Sequence, residues 1–387
     1  MILVYHGILP YEHSRHRGLM EAYARHEALV YVDPNTTRRP TPSQQSAYEA
    51  ALTGVGTATT TRRVFPVTLR APLPGGRIRL IARVNRWLAL RAFVGTLQRI
   101  STEPIVVVSQ HPGLLPTARG LGADLTVYEI RDDVAGFALT PRAARRDARD
   151  HRRMLRQNDI VWAISKALVA DIATTRPDAH ETGVGVEYTD FAQAVEADAP
   201  RGMRQIARPR IGLVGNLNDR VDWPLLERIA HSRPSWQLVL VGPLYHSSEA
   251  AEVALEELIR LENVHHIPPV AQEEIPGCIA ALDVCLIPYR LTPATTRINS
   301  LKAYQYLASG KPVVSSKIPS VEELGDVVHC ADRDDFVAAI ERALADDSPG
   351  AVAQRRERAR AFDWSKIADH QRDILQKHLA GQRGSAK

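Results

Sequence analysis

Cysteine, aromatic residues and long apolar runs are all scarce in this sequence of 387 residues. The three cysteines, Cys278, Cys285 and Cys330, form no CxxC pair, which excludes a disulfide framework and favours a reducing compartment. No apolar run reaches the roughly 18–20 residues that span a bilayer. The opening residues, MILVYHGILP, have no basic lead-in, so they predict a buried strand and not a secretion signal. We therefore expect a cytoplasmic protein.

The composition is that of a globular protein, with 44% hydrophobic and 24% charged residues, which excludes disordered and fibrous classes. A chain of this length exceeds one ordinary core and suits two domains of roughly 150–200 residues each. No GxxxxGK[ST] is present and no GxGxxG follows a strand pattern. A P-loop kinase is therefore excluded, and a nicotinamide or flavin dehydrogenase is not supported.

Acidic residues are missing from one long stretch, 50–102, which contains nine arginines. The spacing predicts a basic helix over 77–99. Arg79, Arg83 and Arg86 then share one helix face, which suits an anionic ligand or an anionic membrane surface. A solvated helix face is the alternative. Nucleic acid is not an expected partner, because no recognised motif or aromatic platform accompanies the charge.

Strand and helix signals alternate along the chain in two series. The first series begins with MILVYHG and ends with DIVWAIS, and the second begins with RPRIGLVGN. Short Val- and Ile-rich runs between helical patterns are typical of doubly wound parallel sheets. The predicted fold class is therefore α/β, with two Rossmann-like doubly wound parallel-sheet domains over 1–200 and 206–364. Residues 192–209 form the predicted linker, and 365–387 form a final amphipathic helix.

Three stretches of the second half point to a known family. They are IGLVGNLNDRVDWPLLERIAHSRPSWQLVLVGP at 211–243, VHHIPPVAQEEIPGCIAALDVCLIPYR at 264–290 and NSLKAYQYLASGKPVVSSKIPSVEEL at 299–324. They resemble the nucleotide-sugar-dependent glycosyltransferases of GT-B architecture, and more narrowly family four and its teichuronic-acid-type relatives. In the first half, SRHRGLMEAYARHEALVYVDP and VYEIRDD match more weakly. The resemblance implies two domains facing across a cleft, the acceptor side in the first and the nucleotide-sugar side in the second, with the last helix returning to the first.

A nucleotide-sugar donor needs cations, helix N-termini or backbone amides around its leaving diphosphate. Gly215 and Asn216 follow a predicted strand and precede a helix, so their backbone can approach a phosphate, although a plain tight turn has the same pattern. Lys302 lies in the first turn of a later helix that Asn299 would cap, and the lysine and the helix dipole together would offset diphosphate charge. A surface lysine is the alternative role of Lys302.

The family places two glutamates eight positions apart ahead of its Gly-x-Pro-Val-Val strand, and Arg297 and Gln305 stand at these positions here. Neither residue is acidic, so the resemblance does not extend to the usual ribose and sugar contacts, nor to retaining stereochemistry. Gln305 can still hydrogen-bond a ribose hydroxyl as a neutral partner. Tyr289, which ends the strand DVCLIPY, completes the predicted donor-binding set.

On the acceptor side, Asp132 and Asp133 end the strand VYEIRDD at its carboxyl edge. In an inverting enzyme one of these carboxylates would deprotonate the acceptor hydroxyl as general base, whereas a helix-capping pair in a polar loop is the structural alternative. His16, in the loop after the first strand, is the next candidate for a catalytic role. His111 and Glu129 are weaker candidates.

The sequence therefore predicts a metal-independent glycosyltransferase that moves a sugar from a nucleotide diphosphate-sugar to a hydroxyl acceptor. The acceptor would be a cell-surface glycan, a lipid-linked molecule or a natural product. A non-catalytic nucleotide-sugar-binding partner and a nucleotide-sugar 2-epimerase of the same fold are the alternatives. We expect no cofactor besides the donor and no metal, since the cysteines and His265–His266 lack zinc-ligand spacing. The expected location is the cytoplasm, with peripheral contact at the inner membrane face through the 77–99 helix.

Overall fold

The computed structural model describes residues 1–7, 9, 11, 17–37, 39–56, 64–74, 78–110, 120–133, 135–138, 140–244 and 248–385. The chain forms two compact units. The first comprises Met1–Gly183 with Trp364–Lys387, and the second comprises Val184–Asp363. Each unit contains one parallel β-sheet together with its helices.

The first sheet has seven strands and the second has six. In chain order the strands are β1 (Ile2–His6), β2 (Ala28–Val32), β3 (Val64–Val67), β4 (Ile105–Ser109), β5 (Leu125–Ile130), β6 (Ile160–Ala163), β7 (His180–Glu181), β8 (Arg210–Val214), β9 (Gln237–Val241), β10 (Val264–Ile267), β11 (Val284–Ile287), β12 (Val313–Ser316) and β13 (His329–Ala331).

The helices alternate with these strands. They are α1 (Arg17–Ala24), α2 (Pro42–Gly56), α3 (Arg79–Ile100), α4 (Pro141–Gln157), α5 (Lys166–Ile172), α6 (Tyr188–Gln193), α7 (Arg201–Arg204), α8 (Trp223–Ser232), α9 (Glu249–Leu258), α10 (Ile275–Ala280), α11 (Leu301–Ala308), α12 (Pro319–Glu322), α13 (Phe336–Ala345), α14 (Pro349–Arg360) and α15 (Trp364–Ser385). In the part of the chain that the structure describes, no helix has the length and apolar character needed to cross a bilayer.

The two sheets share one topology. The strand order is β3-β2-β1-β4-β5-β6-β7 in the first and β10-β9-β8-β11-β12-β13 in the second, and all pairs are parallel. The order reverses once in each sheet, between β1 and β4 and between β8 and β11. Open α/β sheets bind ligands at such reversal points, beyond the carboxyl ends of the strands. The predicted class, two Rossmann-like doubly wound parallel sheets, is confirmed.

Local sequence explains the central strands and several helix starts. The runs ILVYH in β1, IVVVS in β4 and RIGLV in β8 are entirely buried, as strands of a parallel sheet covered on both faces must be. The Thr140 side chain caps α4 by accepting a hydrogen bond from Ala143 N at 3.2 Å. Asp222 Oδ1 caps α8 by accepting one from Leu225 N at 3.1 Å. Asp222 is thus the N-cap of α8 and Pro224 lies in the first turn, which are the positions that these residue types favour.

The segment that the sequence assigns to a linker, 192–209, is bound into the second unit. Arg210 is buried at the start of β8, and its guanidinium donates hydrogen bonds to Glu196 Oε1 at 2.6 Å and to the carbonyl of Ile206 at 2.7 Å. A buried guanidinium must be fully hydrogen-bonded, so these partners hold the segment against the second sheet. The first unit accordingly ends at Gly183, earlier than the sequence suggested.

The last helix completes the first unit. α15 packs against α1, and the hydroxyl of Tyr23 on α1 donates a hydrogen bond to Gln371 on α15. Arg372 of α15 pairs with the buried Glu27 at 3.0 Å. These contacts tie the end of the chain to the helix that follows β1.

Candidate functional site

In the second unit, two glycines lie at the carboxyl ends of neighbouring strands. Gly215 follows β8 and Gly242 follows β9, with φ angles of +125° and +128°. Such angles disfavour any residue with a Cβ, and a Cβ on Gly242 would also collide with the carbonyl oxygen of Gly215. The Gly215 amide donates to the carbonyl of Val241 at 2.8 Å. Neither glycine places a side chain of its own at this strand end, which favours the close approach of a phosphate.

Helix α11 brings Lys302 to the same strand end. A Cβ on Gly215 would collide with Lys302 Nζ, so the ammonium lies directly against the glycine. Tyr306, one helical turn later, is buried, and its hydroxyl oxygen accepts a hydrogen bond from Val214 N at 3.1 Å. Residues four apart share a helix face, and this face of α11 is turned towards the end of β8. The structure thus brings together Gly215 and Lys302, which the sequence identified separately.

Asn299 does not cap α11 in the way that the sequence suggested. Ser300 occupies the N-cap position, and its side chain makes no capping hydrogen bond. Asn299 Oδ1 accepts a hydrogen bond from the hydroxyl of Tyr304 at 2.7 Å. Lys302 is the second residue of the helix, so it does lie in the first turn, where the helix dipole favours anions.

The remaining predicted donor residues lie in α11 and in the loops after β8 and β11. Asn216 is half-buried beside Gly215, and Tyr289 is buried shortly after β11. Arg297 ends a short 3₁₀ turn before α11, and its guanidinium donates to the carbonyl of Pro293. Gln305 is half-buried on α11. The two positions at which the resemblance implied glutamates are therefore occupied by a cation and by a neutral amide.

A buried carboxylate lies at the corresponding edge of the first sheet. Glu129, on β5, accepts hydrogen bonds from the hydroxyl of Tyr5, from Gln110 Nε2 at 3.2 Å and from Arg131 Nη1 at 3.0 Å. Burial and the charge of Glu129 raise the pKa of Tyr5, so the hydroxyl stays protonated and donates. Three side chains fix Glu129 in place, and this arrangement suits a structural role better than proton transfer.

Asp132 and Asp133 follow this buried group in the chain, and both are half-buried. Asp133 Oδ1 accepts a hydrogen bond from Gly136 N at 2.8 Å, which closes a turn of the kind that aspartate favours. That turn orders the loop that contains both carboxylates. The other two candidates on this side, His16 and His111, lie outside the described residues.

Two polar side chains that the sequence did not single out stand at the reversal point of the first sheet. His6 ends β1, Ser109 ends β4, and the two are paired in register. Both are buried, and among the described residues His6 Nδ1 and Ser109 Oγ have no hydrogen-bond partner. Burial and the nearby charge of Arg86 lower the pKa of His6 to about 3, so the ring is neutral at neutral pH. Their position as the last residues of two predicted strands was the available sequence signal.

The basic face predicted for the 77–99 helix is partly internal. Arg83 on α3 donates two hydrogen bonds to the carboxylate of Asp150 on α4, both at 2.9 Å. Arg86 is half-buried, and burial together with the charge of Arg83 lowers its pKa. The side chain of Arg79 lies outside the described part of the chain. Arg83 and Arg86 therefore serve the interior of the first unit.

The surroundings of the three cysteines and of His265 and His266 indicate structural roles for these residues. Burial raises the pKa of all three thiols, to about 12 for Cys285, so they remain protonated. His265 Nε2 lies 2.7 Å from Gln237 Oε1, and His266 Nε2 lies 2.9 Å from the carbonyl oxygen of Gly242. Over the described ranges, no three His, Cys, Asp or Glu side chains come together in a group that would hold a metal ion.

Comparison with known proteins agrees with this geometry. Residues 208–346 match the profile of the family Glycosyl transferases group 1. The putative teichuronic acid biosynthesis glycosyltransferase TuaH of Bacillus subtilis is 28% identical over 211 residues, which cover 52% of this chain and 52% of TuaH. The chain spans about half the length of the curated relatives it matches.

Solved structures are similar over nearly the whole chain. Sucrose-phosphate synthase from Thermosynechococcus elongatus has a TM-score of 0.73 at 16% identity, covering 98% of this chain and 100% of that one. Anabaena Alr3699/HepE in complex with UDP and glucose has a TM-score of 0.67 at 14% identity, covering 97% and 100%. The chain thus has the GT-B glycosyltransferase fold. The stretch that matches the glycosyl transferases group 1 profile lies within its second unit, and the resemblance seen in the sequence is confirmed.

Proposed function

We propose that this chain is a glycosyltransferase that moves a sugar from a nucleoside diphosphate-sugar to an acceptor hydroxyl. The observation behind the proposal is the position of Lys302 Nζ against the bare backbone of Gly215, at the reversal point of the second sheet. The family match over 208–346 supports it. Two similar proteins add support, since TuaH is described as a glycosyltransferase and HepE was solved with UDP and glucose.

The donor diphosphate would bind at the end of β8. Its leaving group gains negative charge as the bond to the sugar breaks, so positive groups must already be in place. Lys302 supplies an ammonium, and the N-terminus of α11 adds about half a positive charge. The hydrogen bond between Tyr306 and Val214 fixes α11 to the strand end, which orders the lysine before the donor arrives.

The nucleoside and the sugar would meet neutral and cationic side chains. Gln305 offers an amide to a ribose hydroxyl, and Arg297 adds a second cation before α11. Because Lys302 and the helix N-terminus supply the positive charge, we expect the reaction to proceed without a divalent cation. A metal chelator should then leave the rate unchanged.

The acceptor hydroxyl would meet the carboxyl edge of the first sheet. Asp132 or Asp133 would take the hydroxyl proton as the oxygen attacks the sugar. An acceptor hydroxyl would also satisfy His6 Nδ1 and Ser109 Oγ, which have no partner among the described residues. A sugar hydroxyl of a cell-surface glycan, a lipid-linked molecule or a natural product fits this chemistry.

One observation favours a second candidate, a non-catalytic nucleotide-sugar-binding partner. Arg297 and Gln305 replace both glutamates of the family pattern, so a chain that kept donor binding and lost transfer would show the same substitutions. The phosphate contacts of Lys302 and Gly215 would serve either protein equally. Only a measurement of turnover separates the two.

The test is a panel of UDP-, GDP- and dTDP-sugars, followed first by thermal shift and then by release of the free nucleotide. We expect at least one donor to raise the melting temperature and to be hydrolysed slowly, because water replaces the acceptor in a transferase. If a donor binds but is neither hydrolysed nor transferred to any acceptor, the second candidate, a non-catalytic nucleotide-sugar-binding protein, is supported. Failure of all donors to bind excludes both candidates.

A further inference from the structure

Helix α4 presents a line of arginines to solvent. Six arginines of the helix are exposed, and five of them recur at intervals of three and four residues: Arg142, Arg145, Arg149, Arg152 and Arg156. At about 100° per residue they fall within an arc of roughly 80°, and they extend over about 21 Å of the helix. Among the described residues, none of the five pairs with an acidic side chain. We call this line the arginine stripe.

The opposite face of α4 holds the helix to the first unit. Met154 and Leu155 are buried there, together with both acidic residues of the helix, Asp147 and Asp150. Asp150 forms the two-fold ion pair with Arg83 of α3 at 2.9 Å. Every acidic group of α4 is therefore turned inward, which leaves the outer face with positive charge alone.

An exposed apolar group lies at the start of the neighbouring helix. Leu73, Ile78 and Leu80 are exposed by 40%, 59% and 71%. Leu73 is not part of a loose loop, since its amide and its carbonyl are both hydrogen-bonded to the buried Asn85 side chain at 2.8 and 3.0 Å. Arg83, one turn after Leu80, joins this end of α3 to the middle of α4.

We infer that the arginine stripe, with the apolar start of α3, docks the first unit on the surface of an anionic lipid bilayer. Arginines attract the negatively charged headgroups, and exposed Leu and Ile side chains gain free energy by entering the acyl boundary. Nucleic acid explains the charge less well, because α4 contains no Phe, Tyr or Trp on which bases could stack, and aliphatic side chains have no use along a phosphate backbone. The arginines of this surface are on α4, whereas the sequence pattern pointed to Arg79, Arg83 and Arg86 of the 77–99 helix.

This inference does not depend on the proposed transfer reaction, because the stripe is on the first unit and the donor residues are on the second. Co-sedimentation with vesicles of phosphatidylcholine alone, or of phosphatidylcholine mixed with phosphatidylglycerol, tests it directly. The full chain should bind only the mixed vesicles, and binding should weaken as salt screens the charges. If the wild-type protein does not co-sediment with the mixed vesicles at low salt, the inference is wrong.

Matched variants identify the surface. Each basic residue near an anionic membrane contributes a factor of roughly five in partitioning. Arg→Gln at all five stripe positions should therefore lower binding by at least about 100-fold, whereas Arg→Lys at the same positions should retain most of it. The control changes five exposed arginines elsewhere to Gln, namely Arg25, Arg99, Arg201, Arg204 and Arg260. It removes the same net charge and should bind within a few-fold of the wild type. Equal losses in the two Gln variants would contradict a defined surface.

The contribution of the exposed apolar residues at the start of α3 is measured separately. Ile78→Ser with Leu80→Ser should reduce binding several-fold, most clearly at high salt, where the electrostatic part is screened. If duplex DNA displaces the wild type from vesicles and this variant binds like the wild type, the stripe is a nucleic-acid surface and the inference fails. Donor hydrolysis and the melting temperature should stay at wild-type values in every variant, which separates failure here from failure of the proposed function.

Discussion

Lys302 Nζ occupies the space that a side chain on residue 215 would need, so the lysine and Gly215 form one element at the end of β8. The two positions are separated by more than 80 residues of sequence and meet because α11 is fixed to the same strand end through Tyr306. The φ of Gly215 is +125°, and we propose that this glycine and the ammonium beside it together bind a phosphate that neither residue would hold alone.

Lys302→Ala should weaken the binding of the nucleoside diphosphate. A charge-assisted hydrogen bond in a partly buried site is worth roughly 1.5–3 kcal/mol, so the dissociation constant should rise by about 10- to 150-fold. Isothermal titration calorimetry with the nucleoside diphosphate measures this. The control is Lys317→Ala, since Lys317 is an exposed lysine of the same unit that pairs with Asp332. If the Lys302 variant binds the nucleoside diphosphate with unchanged affinity, Lys302 does not contact the diphosphate.

Gly215→Ala should reduce donor affinity at least as much, because the new methyl group takes the place of the ammonium. The positive φ adds a stability cost of about 1–3 kcal/mol. Gly325→Ala is the matched control, since Gly325 also has a positive φ, of +80°, but a Cβ there meets no atom within 4 Å. The control should lose comparable stability in denaturant unfolding and keep its donor affinity. Similar affinities in the two variants would argue against a phosphate site at Gly215.

Asp132→Asn and Asp133→Asn separate catalysis from loop structure. An amide keeps the size of the carboxylate but cannot accept the acceptor's proton, so the variant that lacks the base should turn over roughly 10²- to 10⁴-fold more slowly. Donor affinity should not change in either variant. We expect Asp133→Asn to leave the melting temperature nearly unchanged, because the amide oxygen of asparagine can still accept the hydrogen bond from Gly136 N. If both variants turn over at the wild-type rate, neither aspartate is the general base, and His16 and His6 become the next candidates for that role.

His6 should make stability depend on pH in a definite window. Its pKa is lowered from 6.5 to about 3 in the folded chain, so between these values the unfolded chain binds a proton that the folded chain does not. Stability should therefore fall as the pH drops below about 6.5, and the His6 contribution between pH 7 and pH 5 is roughly 1–2 kcal/mol. His6→Gln should flatten the profile of unfolding free energy by that amount. His26→Gln, at an exposed histidine, should leave the slope unaltered, and equal slopes in all three proteins would contradict the assignment.

The strands were predictable because a parallel sheet covered on both faces demands short, continuously apolar segments. MILVYHG, PIVVVSQHP and RPRIGLVGN all contain such segments, and each became a central strand. The edge strand β3 was not predicted, since its four residues, VFPV, include a proline. Proline cannot donate to a ladder and is tolerated at an edge, so local pattern alone does not distinguish this strand from a loop.

The candidate site was predictable in part. Gly215, Lys302, Asp132 and Asp133 could be chosen because each stands at the end of a predicted strand or at the start of a predicted helix. His6 and Ser109 could not, because the lack of a partner for a buried atom, here among the described residues, is a property of packing. The chemical roles of all these residues stay predictions until the variants are measured.

The sequence by itself determined the periodicity of each element, the two series of parallel strands and the family resemblance of the second half. Tertiary structure decided which charges face inward. Arg83 and the five arginines of the stripe look alike in sequence. Arg83 on α3 nevertheless forms an ion pair with Asp150 on α4, whereas no arginine of the stripe pairs with an acidic side chain among the described residues. Local spacing fixes which residues share a face of one helix. Which face is buried, and against what, depends on contacts between segments far apart in the chain, so Arg210 could anchor a supposed linker and Lys302 could reach Gly215.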